Sequence, residues 1–82
     1  MLKCQTDDHR KNITGRKMRS LRLQNRVSQR VVADGLGVLG LDIDKNAVQR
    51  MESGQRFITD IEIIFIARYF KVSVNELLGL NN

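Results

Sequence analysis

Proline is absent from this 82-residue chain. Helix ends must therefore be set by side-chain caps and by glycine. There is one cysteine, Cys4. It excludes an internal disulfide and suits a reducing cytosol. There is one histidine, His9, in the same polar leader. A metal shared by the two would lack further soft ligands, so they read as unrelated tail residues, and no metal site or cofactor is expected. The longest purely apolar run is Ile63 to Ala67, far short of the ~20 residues that span a membrane. The N-terminal stretch has no apolar core of the kind a secretory signal carries. No membrane association is expected, and the cytoplasm is the expected location. A chain of this length is one domain at most and buries only about 60% of its surface, which leaves little room for an enclosed active site.

What the chain has in excess is positive charge, and it is unevenly placed. The net charge is +5. Residues 1–30 hold nine Lys/Arg against two Asp, whereas residues 31–56 and 57–82 are each net −1. A basic front half on a near-neutral body points to a polyanion, nucleic acid first. A solvated helix face explains a charged run just as simply, so charge alone decides nothing.

Five helices can be read, and no strand. Thr14 is placed to N-cap a first helix over residues 15–25, with Met18 and Leu21 on one face. Ser28 is placed to cap a second, SQRVVADGL, with Val31, Val32 and Leu36 pointing inward. Gly35 within it costs up to ~1 kcal/mol relative to alanine and loosens its last turn; Gly37 suits the position just past its end. Asp44 caps a third helix, KNAVQRMES, closed by Gly54. Thr59-Asp60-Ile61-Glu62 and Ser73-Val74-Asn75-Glu76 are capping boxes that open the last two helices. After the first box, Ile63, Ile66, Ala67 and Phe70 form a core-facing stripe. After the second, Leu77 and Leu78 start a short final helix. Residues 1–13 read as a flexible leader without structure, residues 14–80 as the domain and residues 81–82 as a tail.

Between the second and third helices lies GLGVLGLDID, residues 35–44. Gly35, Gly37 and Gly40 match the spacing of a dinucleotide-binding loop. Such a loop needs a strand before it and a helix after it, and here a helix runs into Gly35. Asp42, Asp44 and Asn46 match the opening of a calcium loop. Its sixth position requires glycine and holds Ala47, and its twelfth requires glutamate and holds Ser53. Glu52 is one residue off, about 100° away on a helix. The stretch reads as a turn, with Asp42 and Asp44 as turn and cap residues.

The ordered set Met18-x-x-Leu21-Arg22, Ser28-Gln29, Val32-Ala33, Leu36-Gly37-Val38, Val48-x-x-Met51-Glu52-x-Gly54, Ile66-Ala67-x-x-Phe70-x-Val72-Ser73 and Glu76-Leu77-Leu78 resembles the helix-turn-helix domain of the Xre family, the Cro and phage-repressor type. The resemblance implies an all-α, compact five-helix, lambda-repressor-like DNA-binding domain. Compact members join helices two and three by a tight turn of about three or four residues. This chain has about five more there, over residues 39–44, and is similar to a branch with a longer turn.

In this fold the third helix enters the major groove, and its N-terminal residues touch base edges. Here these are Lys45, Asn46, Gln49 and Arg50. Their chemistry suits the task on its own terms: asparagine pairs bidentately with adenine, and lysine or arginine with guanine. Asn46, Gln49 and Arg50 share one helix face, and Val48 and Met51 share the opposite one. The resemblance implies a phosphate contact at Gln29, where helix two begins. Ser53, Gln55 and Arg56, which follow helix three, are expected to meet the DNA backbone, and Arg26 and Arg30 to add attraction at longer range. The resemblance also implies a structural ion pair between Arg22 and Glu52.

The expected partner is double-stranded DNA, and the expected role is transcriptional regulation, repression before activation. Ile61, Phe65 and Tyr69 form a second apolar row on helix four. Packing against helices one and five is the preferred account of that row, and a dimer surface the other. A two-fold dimer would read a pseudo-palindromic operator with its recognition helices one turn, ~34 Å, apart. Nothing in the sequence suggests a small-molecule inducer. A different class of function is a protein-interaction module, such as an antitoxin that masks a toxin. An enzyme is least expected, because the chain has no nucleophile–base pair and no histidine outside the leader.

Overall fold

The first helix, α1, spans Thr14–Gln24. The computed structural model, which describes residues 5–80, gives it an N-terminus different from the one expected. Thr14 is inside the helix and almost fully buried. Its hydroxyl is committed to the interior, and the residue before the helix, Ile13, has no side chain that can cap. Asn12 caps instead: its Oδ1 accepts the Gly15 N–H at 2.7 Å. Arg10, Lys11 and Asn12 are hydrogen-bonded to the end of the third helix and the segment after it. Cys4 lies outside the described residues, as do the last two.

The second helix, α2, spans Gln29–Leu39. Ser28 caps it, its Oγ accepting the Val31 N–H at 3.1 Å. It runs three residues past the expected end. Gly37 is an interior helical residue, and Gly40, with φ of 112°, takes the left-handed position. Only five residues, 40–44, then connect α2 to the third helix, so part of the extra length is absorbed as helix. Val32, Ala33 and Leu36 are buried, but Val31 is 46% exposed. At 100° per residue the buried stripe is already filled by the other three, and Val31 falls outside it.

The third helix, α3, spans Lys45–Ser53; Asp44 Oδ1 accepts the Ala47 N–H at 2.8 Å, and Gly54, with φ of 80°, closes it. The fourth, α4, spans Asp60–Phe70 and opens with a complete capping box between Thr59 and Glu62. No glycine ends it. Lys71 takes the left-handed conformation, with φ of 58°, at a cost of about 1 kcal/mol. The last, α5, is a single turn, Val74–Leu77, with Ser73 Oγ accepting the Glu76 N–H. No strand occurs among the described residues.

Both α1 and α2 pack against α3; α4 leans on α2 and carries α5. Met18, Leu21, Val32, Leu36, Val48, Met51, Ile66 and Leu77 form one core. Two members of the second apolar row of α4, Phe65 and Tyr69, meet α2 and the glycine that ends it, and Tyr69 also borders a recess with Asn25 at the end of α1. A Cβ on Gly35 would stand 2.1 Å from the Tyr69 ring, and one on Gly40 would stand 3.5 Å from the Phe65 ring. Gly35 is thus the groove that admits Tyr69, not a loose turn. Ile61, at the other end of the row, is 62% exposed.

Candidate nucleic-acid interface

The third helix is divided lengthwise. Ala47, Val48, Met51 and Glu52 are buried, while Lys45, Asn46, Gln49, Arg50 and Ser53 are exposed. The division follows from spacing: residues 48, 51 and 52 lie at i, i+3 and i+4 and point into the core, which leaves 46, 49 and 50 on the outer side. Asp44, capping the N-terminus, fixes where the outer side begins.

The buried edge of α3 is held by charge. Arg22 Nε donates to Glu52 Oε2 at 2.8 Å, and Nη2 donates to Oε1 at 3.0 Å. A third Arg22 donor, Nη1, reaches the Val27 carbonyl at 3.1 Å. Gln29 Nε2 donates to the same Oε1 at 3.1 Å. One carboxylate therefore ties α1, the start of α2 and α3 together. Its hydrogen bonds hold the Arg22 guanidinium above its usual pKa, against the opposing effect of burial. Gln29, expected on a phosphate, spends one amide hydrogen internally. The opening turn of α2 still carries backbone N–H groups that no helical carbonyl reaches.

Around that turn the surface is cationic. Arg19, Arg22, Ser28, Gln29, Arg30 and Lys45 line one open recess. Arg19, Gln29, Gln49, Glu52 and Ser53 line the next. Arg19, which was not among the expected contacts, belongs to both recesses. The signal was present: Arg19 stands one helical turn before Arg22 and so shares its side of α1. Arg26 is exposed too.

Past α3 the expected phosphate contacts part company. Gln55 is exposed, and Ser53 is exposed with its hydroxyl donating to the Arg50 carbonyl at 3.3 Å. Arg56 is engaged elsewhere: Nη1 and Nη2 donate to Glu62 Oε1 and Oε2, each at 3.0 Å, and Nη1 also reaches the Phe57 carbonyl at 2.8 Å. This guanidinium latches the segment after α3 onto the cap of α4. Periodicity offers no hint of such a pairing, because it joins a loop residue to a capping residue.

Burial alone would raise the Glu62 pKa, but hydrogen bonds from Arg56 and the Thr59 N–H outweigh it, and the carboxyl is held below its ordinary 4.5. A group with a lowered folded pKa adds stability above its unfolded pKa and loses it as pH falls through the folded one. The stability gap between wild type and Glu62→Gln is expected to be full at neutral pH and to close as pH falls below 4.5. Urea melts across that range measure it, and a gap that stays constant would exclude this coupling.

Neither alternative for residues 35–44 has structural support. Gly35 and Gly37 are helical, and Asp44 is a cap. Among the described residues no cluster of His, Cys, Asp and Glu could hold a metal ion, and no helix is long and apolar enough to cross a membrane.

Two helices joined by a short connection, the second with a polar exposed face and a core-anchored back, define a helix-turn-helix. A helix-turn-helix family model matches residues 18–77, and the chain belongs to that family, of the Xre and Cro type, whose members are DNA-binding regulators. No curated protein matches the chain, and no solved structure does.

Proposed function

We propose that the protein is a sequence-specific regulator of transcription, a repressor in the cytoplasm, that inserts α3 into the major groove of double-stranded DNA. The observation that carries this reading is the exposure of Lys45, Asn46, Gln49 and Arg50 on a helix whose other side is locked into the core. Asn46 is suited to adenine, and Lys45 and Arg50 to guanine. Gln29, the first turn of α2, Ser53, Gln55 and the newly recognised Arg19 meet phosphates and set the register without reading sequence. Arg56 acts from behind, through Glu62. Two copies related by a two-fold axis would place their α3 helices ~34 Å apart on a pseudo-palindromic operator. Of the second row on α4, Phe65 and Tyr69 are engaged with α2, so Ile61 is the member best exposed to meet a partner.

The test compares affinity for DNA upstream of the protein's own gene with affinity for scrambled DNA, across a range of salt. Own-region DNA is expected to bind more tightly by orders of magnitude, with affinity falling steeply as salt rises. Asn46→Ala is expected to lose about tenfold or more on that DNA and to keep its affinity for scrambled DNA. Equal, weak binding to both DNAs, with a folded Asn46→Ala unchanged, would sink the reading and turn attention to a protein partner.

A further inference from the structure

The C-terminal end of α3 is held from outside the helix-turn-helix. The last turn of a helix leaves carbonyls without intrahelical partners and carries partial negative charge. Here the Gln55 and Gly54 N–H groups close back on the Arg50 and Met51 carbonyls, and the segment before α1 adds donors from outside. Asn12 Nδ2 donates to the Met51 carbonyl at 3.0 Å and to the Arg56 carbonyl at 2.8 Å. Arg10 Nη2 donates to the Glu52 carbonyl at 2.8 Å. The Lys11 N–H donates to the Gly54 carbonyl at 2.9 Å. The Arg10 stem lies over Gly54 where a Cβ would come within 2.8–2.9 Å of it. Lys11 Nζ sits 5.7 Å from the centre of the Phe57 ring.

Asn12 is the joint of this arrangement. Its Oδ1 caps α1 through Gly15, and its two amide hydrogens fasten the end of α3 and the segment that follows. One carboxamide thus uses three of its four hydrogen-bonding sites on three different pieces of chain. At its other end α3 is seated by the packing of Ala47 and Val48, and its cap, Asp44, bonds only within the helix's own first turn, so hydrogen bonds to other parts of the chain are concentrated at the far end, where they bear on the tilt of the helix.

We propose that Asn12 is a positioning residue for base recognition: it touches no DNA and holds α3 at the angle at which Asn46, Gln49 and Arg50 meet base edges together. The proposal rests on the reading of α3 as the base-reading helix. Arg10 assists by placing its positive charge at the negative end of α3.

Asn12→Asp separates the two roles of this side chain. Its carboxylate still caps Gly15, but it cannot donate to Met51 or Arg56. The probes are a short duplex enriched by the wild-type protein from a random-sequence pool and a scrambled duplex of the same composition. The readout is the ratio of the two affinities under conditions where circular dichroism shows the variant folded; a ratio cancels the effect of one added negative charge. The expected result is a fall of about tenfold, the scale of one good base contact, with faster hydrogen exchange at the Gly54 and Gln55 amides than in wild type. A merely stabilising residue would lower the melting temperature and leave the ratio alone. An unchanged ratio overturns the proposal. If Asn12→Asp fails to fold, Arg10→Met decides: it keeps the stem over Gly54 and removes the charge and the bond to Glu52, and its ratio must fall as well. If the wild-type protein enriches no sequence, the base-reading function falls and this proposal falls with it. If it enriches one and the deciding variant keeps the ratio, this proposal falls alone.

Discussion

Glu52→Ala is expected to cost the domain up to about 3–5 kcal/mol of folding stability, because it leaves a largely buried cation without its counter-charge. The Arg22 side chain is 12% exposed and that of Glu52 3%. With the carboxylate gone, the guanidinium keeps only the Val27 carbonyl. It cannot escape by losing its proton, since arginine stays charged in proteins. Domains of this size are stable by only a few to about 12 kcal/mol, so a large share is at stake. Gln29 loses its acceptor in the same stroke. The pair's net value is a separate quantity. Replacing both partners with apolar residues, Arg22→Met with Glu52→Leu, is expected to leave stability near that of wild type, because the desolvation penalty disappears together with the attraction. Denaturant melts of the wild type, Arg22→Met, Glu52→Leu and the double variant measure the coupling. A Glu52→Ala cost below about 1 kcal/mol is what an exposed pair would give, and it would mean that the burial of this pair has no energetic consequence.

Gly15→Ala is expected to destabilise by about 2–3 kcal/mol or more, through overpacking at a place that cannot yield. A Cβ there would lie 1.9 Å from the Met51 carbonyl oxygen and 2.8 Å from Asn12 Oδ1. Both belong to the junction of α1 with α3, and the nearer atom is backbone. Relief requires the two helices to separate. Gly37→Ala is the matched control. Gly37 is also helical, but a Cβ there meets nothing within 4 Å. That exchange is expected to stabilise by up to about 1 kcal/mol, through helix propensity alone. Thermal melts of the two variants should move in opposite directions. If Gly15→Ala were as stable as wild type, the close approach of α1 to α3 would not be a constraint on the fold.

The elements legible in the sequence were those specified locally. Asp44 before KNAVQRMES, Ser28 before its helix and Thr59 with Glu62 each signal a helix start within three or four residues, and each makes the cap hydrogen bond it was read to make. The burial of Val48 and Met51 against the exposure of Asn46, Gln49 and Arg50 is likewise a matter of spacing. Thr14 misled because a residue suited to capping is also small enough to bury, and only the packing shows which it does. Gly37 misled because glycine in a helix and glycine past its end look alike until the left-handed residue is located, at Gly40. Lys71 ends α4 where the sequence offers no glycine at all.

By itself, the sequence determined an all-helical chain, the order of its elements, the polar outer side of the third helix and the excess of positive charge in the first thirty residues. These depend on periodicity, on caps and on composition, which act over a few residues or over the whole chain. Tertiary structure alone decided where α3 is held. Glu52 meets Arg22 and Gln29 across thirty and twenty-three positions of chain, and Asn12 reaches Met51 across thirty-nine. It also decided that Arg56 faces Glu62 and that Tyr69 lies on Gly35. Contacts between residues far apart in the chain leave no period to read, because which side chains meet is fixed by how the helices cross, and that follows from packing the entire core at once.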